Sequence, residues 1–163
     1  MKQKGHKYLV FYTTDEQFAI SIKDVVIIEK MEYESGTNHD KRIKKVNSYP
    51  KYMEGVFAYK QKIIPVVNFE LFLNGTEMER HNENKIIIIR GKDIQYGLLV
   101  NEVNTIIELK PETFIHLYKE KPLLMTENKG EIYIIPDIDT LLEHNDMKNV
   151  FENIRNYHES EEE

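Results

Sequence analysis

The chain has 163 residues, no cysteine and a formal net charge of −6. That length suits one domain, or two small subdomains around a common core, and is enough to fold without a covalent staple. The lack of cysteine excludes disulfides, thiolate zinc sites and cysteine nucleophiles together, and an acidic chain without a basic block lacks the phosphate contacts that nucleic-acid binding needs.

The start, MKQKGHK, is basic, but the apolar run after it is too short for a signal peptide. No stretch approaches membrane-spanning length, so direct membrane insertion is not expected and the expected location is the cytosol. Residues 8–12 read as a strand, 13–16 as a polar turn and 17–20 as the returning strand. Ser21 is placed to cap a short turn over 22–24, and 25–28 is a third strand. Residues 32–45 are charged and read as a surface loop.

Pro50 is suited to open a short helical turn, because its fixed φ fits a first helical position. Val56-Phe57-Ala58 and Ile63-Ile64-Pro65-Val66-Val67 then flank the polar turn Lys60-Gln61-Lys62, which predicts a β-hairpin with Ile64 buried. Pro65 cannot donate to a ladder, so it marks an edge, a strand start or a bulge. Asn68 is a candidate N-cap for a short helix over 69–73, and 74–84 is a second charged loop.

The first pattern then returns. Residues 86–89 are a strand, 91–93 a turn, 95–98 the return and 103–107 a third strand. Asp15 falls on Asp93, Gln17 on Gln95, Phe18 on Tyr96, Ile20 on Leu98 and Val25 on Val103, a constant offset of 78. Patterning repeated at a fixed offset implies two similar structural units. Pro111 suggests a short helix through residue 117. Residues 122–125 and 132–135 form another strand pair around Asn128-Lys129-Gly130, and Asp137 is a second candidate N-cap, for a helix over 138–142.

From residue 144 the composition is polar, but Met147, Val150, Phe151 and Ile154 recur at helical spacing. This predicts a C-terminal amphipathic helix that docks on the body, with residues 159–163 disordered. The expected division is a body over 1–143 and a helix with acidic tail over 144–163. Many short strands and few helices point to an all-β class of small closed barrels, two of them given the repeat.

Candidate chemistry is sparse. No two of the six histidines are spaced to share a metal, and they read as solvated. Asp137 and Asp139 form a D-x-D at a helix start, where a cap and a dipole-matching carboxylate account for both. No nucleophile elbow, P-loop or dinucleotide fingerprint is present. The chain therefore reads as a binding module, with no catalytic residue, cofactor or metal. A rival reading is a small-ligand barrel pair with Tyr49, Tyr52 and Tyr59 lining a pocket.

The order Pro50, turn, Gly55-Val56, strand, basic turn residue, Ile64-Pro65-Val66-Val67 resembles the middle of the CheW-like domain, the bacterial chemotaxis adaptor family. That family usually shows G-V-x-N-L-R-G, then an apolar run with Pro and V-D-L. Ala58, Tyr59, Lys60 and Gln61 stand where Asn, Leu, Arg and Gly are usual, and Asn68 where Asp is usual. Ile27 falls where Glu is common, and Asn101-Glu102 where Asp-Gly is common.

The resemblance implies two tandem five-stranded SH3-like β-barrels around a shared core, with short helices. It implies a scaffold that binds the cytoplasmic tip of methyl-accepting chemoreceptors, the regulatory domain of the histidine kinase CheA and other CheW-like domains. Carried over by position, Val25, Ile27, Gly55 and Lys60 are the implied receptor-binding residues, with Gly55 where a side chain would obstruct close approach. Lys60 keeps the charge of the usual Arg but not its planar fork.

Overall fold

A strand with one wet face alternates apolar and polar residues; Ile86, Ile87, Ile88 and Ile89 do not alternate, so both faces must be covered. The computed structural model, which describes residues 5–117, 120–143 and 146–161, shows how. Ile86 and Ile88 point into one core with Ile64, Val66 and Leu99. Ile87 and Ile89 point into another with Leu9, Phe11, Phe18 and Leu98.

The strands are β1 (His6–Tyr12), β2 (Gln17–Ser21), β3 (Val25–Lys30), β4 (Met53–Tyr59), β5 (Lys62–Asn68), β6 (Lys85–Ile89), β7 (Tyr96–Val100), β8 (Glu102–Leu109), β9 (Ile115–His116), β10 (Leu123–Asn128) and β11 (Glu131–Pro136). The helices are α1 (Phe69–Asn74), α2 (Ile138–Glu143) and α3 (Met147–Glu161). One sheet runs β8-β1-β2-β11-β10-β9, the other β3-β6-β7-β5-β4. These are the two SH3-like units, the first carrying the two-residue β9 as a sixth strand.

Three cores result. Tyr8, Val10, Ala19, Leu109 and Tyr133 fill the first unit, and Met31, Ile43, Phe57 and Ile64 help to fill the second. The largest lies between them, where Leu9, Phe11, Phe18 and Ile20 meet Ile87, Ile89, Tyr96 and Leu98. Phe18 packs edge-on to Phe69, ring centroids 5.1 Å apart. Residue for residue, the odd and even positions of β1 and β6 serve different cores.

The repeat is structural, and its two copies interleave from the third strand on: β1 and β2 share a sheet with β8–β11, and β6 and β7 share one with β3–β5. β3 follows β2 in sequence but pairs with β6, Val25 facing Ile89. β8 follows β7 but pairs with β1, Val103 facing Phe11. Each sheet therefore joins the first two strands of one repeat to the later strands of the other. The caps are as the residue types require: Asn68 Oδ1 accepts from Leu71 N at 3.2 Å, and Asp137 Oδ1 accepts from Thr140 N at 3.3 Å.

Several expectations need correction. Residues 32–45 run over the surface as expected, but they are tied down: Asp40 is buried and accepts from the amides of Glu32 and Arg42 and from the Arg42 guanidinium. Burial opposes ionisation of Asp40, but these donors outweigh it and hold its carboxyl below the usual range. Residues 75–84 are likewise tied down, with Met78 and Asn84 buried and Arg80 paired bidentately with Glu54 at 2.8 and 3.0 Å. Pro50 opens only a turn closed by Met53 N on its carbonyl, 2.9 Å. After Pro111 a three-residue 3-10 turn, Pro111–Thr113, replaces the expected helix, because the chain must re-enter the sheet at β9. Pro65 sits inside β5, an interior strand, one residue before the parallel ladder to β7 begins at Val66. Lys62 belongs to β5 rather than to the turn, and α3 continues to Glu161; residues 162–163 lie outside the described residues, as does His144. No described helix is long and apolar enough to cross a membrane.

Candidate functional site

β3 is an edge strand, paired only with β6 in its sheet. Its register shifts between Val25 and Ile27, so Val26 is an extra residue opposite the Ile89–Ile88 step. The bulge breaks the alternation. Val25 stays half-buried against the shared core and Val26 packs on the second unit's core; beyond the bulge Ile27 stands opposite Ile88 and Ile28 opposite Ile87, so the two isoleucines take opposite faces of the edge. Ile27 is 38% exposed and Ile28 37%, an apolar pair on an open edge.

The other two implied residues lie on the β4–β5 hairpin, at the far end of the same sheet order. Tyr59 faces Lys62, which leaves Lys60 and Gln61 as a two-residue turn, and both have positive φ, 48° and 67°. That is the type I′ geometry whose hand matches strand twist and which favours Asn-Gly. Lys60 is exposed, its ammonium 5.5 Å from the Tyr59 ring centroid. Gln61 therefore holds a left-handed backbone that glycine adopts freely. Gln61→Gly is expected to stabilise the protein by about 0.5–1 kcal/mol, the left-handed penalty less the added freedom of the unfolded chain; a urea midpoint that falls would contradict the turn geometry.

Gly55 is buried, and it faces its own chain. With φ at 149°, an added Cβ would stand 2.4 Å from the Lys44 carbonyl oxygen and 2.7 Å from Ile43 Cγ2. Lys44 and Val56 exchange backbone bonds of 2.7 and 2.9 Å at this point. The pattern of the sequence carries no sign of this contact, since residues 43–44 look like part of a charged loop.

Clefts elsewhere on the molecule bear on the remaining readings. One of about 410 Å³ lies between the units and is lined by Asp24, Arg90, Lys92, Tyr96, Asp137 and Asp139. Tyr96 donates to Asp139 at 2.5 Å while Asp137 caps α2, so both carboxylates have structural duties. Burial, then Asp139, raises the Asp24 pKa, and burial with Asp139 raises that of Tyr96. Among the described residues no group of three His, Asp or Glu side chains could hold a metal. The three tyrosines of the ligand-pocket reading are divided between two cores, Tyr49 and Tyr52 on the shared one and Tyr59 on that of the second unit. Tyr52 lines a cleft with Phe18 and Phe72. Two histidines are engaged rather than solvated: His81 with Asn101, and His158, whose Nε2 accepts from Ile63 N at 3.0 Å.

With this geometry in hand, the comparisons are specific. The CheW-like domain family model matches residues 7–146. A chemotaxis protein CheW of Bacillus subtilis (strain 168) is 32% identical over 103 residues, 63% of this chain; the match spans 60% of that protein's length. A chemotaxis protein CheW of Thermotoga maritima is 27% identical over 154 residues, 89% of this chain and 93% of that protein. In fold, the chain is similar to the crystal structure of the scaffolding protein TtCheW from Thermoanaerobacter tengcongensis, with a TM-score of 0.70 at 20% identity over 85% of this chain and 93% of that one.

Proposed function

This chain belongs to the CheW-like domain family, and from that premise we propose that it is a chemotaxis adaptor coupling methyl-accepting chemoreceptors to a CheA-type histidine kinase. It turns over no substrate, works in the cytoplasm, and reaches the membrane through its receptor partners. Residues 1–143 carry the contacts, and 144–163 serve as the C-terminal helix and tail. The observation that carries this reading is the open edge of β3, where Ile27 and Ile28 are both exposed, one on each face, an apolar edge suited to a helical partner. Val25 forms its inner margin, Lys60 supplies a cationic rim group, and Gly55 acts from beneath by letting residues 43–44 lie close to β4. Ile27, where the family commonly has Glu, favours a second reading, an accessory member that binds the kinase or another CheW-like domain alone.

Co-sedimentation with receptor-tip fragments, with and without the kinase regulatory domain, tests both. Ile27→Asp is expected to weaken receptor binding by at least about tenfold, because it puts a carboxylate into a desolvated contact. Lys60→Ala is expected to weaken it only about two- to fivefold, and less at high salt. Kinase binding without receptor binding would select the second reading, and binding of neither by the folded protein would end both.

A further inference from the structure

The parallel ladder between β5 and β7 begins at Val66, so β5 is open on that side at Ile63. The last turns of α3 come down on this stretch. Met147, Val150 and Ile154 anchor the helix in the shared core, Phe151 stacks on Tyr96 at 5.5 Å, and Arg155 pairs with Asp93 at 3.5 Å. Beyond these anchors one hydrogen bond ties the end of the helix to the sheet: the Ile63 amide donates to His158 Nε2 at 3.0 Å.

Only a neutral imidazole nitrogen can accept that bond. Protonation turns Nε2 into a donor, which leaves two donors facing each other and the Ile63 amide without its acceptor. We propose that His158 is a proton-sensitive latch that closes the end of α3 over the edge of β5 when neutral and releases it when charged. The anchors at Met147, Val150 and Ile154 stay in place, so release is confined to the last turns. The charged and titratable residues that the helix and the hairpin bring to this end are Arg155, Glu159 and Glu161 on α3, Tyr157 with its ring 5.8 Å away, Lys60 and Lys62 next to Ile63 in the chain, and Asp93, which is held by Arg155. Release uncovers the edge of β5 one residue beyond Lys62, beside the hairpin turn. The latch needs no partner, and its test is independent of the adaptor reading.

Amide exchange of the full chain by NMR, corrected for intrinsic rates, reads it directly. Ile63 protection is expected to fall about fivefold from about pH 8 to about pH 5, with Leu98, deep in the core, unchanged. His158→Gln keeps a side-chain acceptor that does not titrate, and should hold Ile63 protected across that range. His158→Ala should leave it unprotected throughout. A flat wild-type profile, a Gln variant that follows the wild type, or a parallel fall at Leu98 would each overturn the latch.

Discussion

Replacing Gly55 with alanine is expected to destabilise the protein by about 3–5 kcal/mol, the combined scale of a strained backbone and an overpacked contact. The new methyl group has nowhere to go. It would stand 2.4 Å from the Lys44 carbonyl oxygen, which accepts from Val56 N, in a residue whose own amide donates back to the Val56 carbonyl. Moving residues 43–44 away breaks both bonds and lifts Ile43, 3% exposed, out of the second unit's core. A urea titration of the purified variant measures this, and an unchanged midpoint would mean that residues 43–44 do not lie against β4. Gly55→Asp is expected to do worse, because a carboxylate joins the clash. Lost partner binding in any Gly55 variant therefore reports on the fold first, whereas Ile27→Asp alters an exposed side chain and reports on the contact.

Truncation after Glu143 is expected to have an effect of similar size. It removes Met147, Val150 and Ile154, between 0% and 5% exposed, each worth roughly 1.5–3 kcal/mol of burial before the entropy of ordering the helix is set against it. It also strips the stacked Phe151 from Tyr96 and leaves the shared core open on one side. The truncated chain should show a markedly lower denaturation midpoint and bind an apolar-surface dye. A truncated protein with unaltered midpoint and no dye binding would assign the face of α3 to a partner.

The fold was legible because its strongest determinants are local. The alternating strands, the Asn68 and Asp137 caps and the offset of the repeat all follow from neighbouring residues. What escaped is set by contacts between distant segments. Asp40 and Arg42 have the look of solvated charges, and only the approach of Glu32 and Lys30 makes them a buried clasp. Run as a sequence, Val25 to Ile28 gives a plain apolar strand; the bulge at Val26 depends on the register against β6, and the exposure of Ile27 and Ile28 on the edge position of β3. Gly55 and Lys60 were found through family resemblance, but their surroundings were not. The family pattern places a glycine where this chain has Gln61, and only the positive φ there shows why.

A gene for half of this chain would encode an unfinished object. Cut between α1 and β6, each piece keeps its first two strands in one sheet and places the rest, β3–β5 or β8–β11, in the other, so both sheets are left incomplete. Neither piece could close alone; two pieces together could, each lending what the other lacks. A homodimer of identical halves would satisfy the same rule, and joining the halves end to end would turn a concentration-dependent encounter into an intramolecular one. Duplication and fusion thus form the shortest genetic route to such a molecule, and the matching of Phe18 with Tyr96 and of Val25 with Val103 is the trace that route would leave.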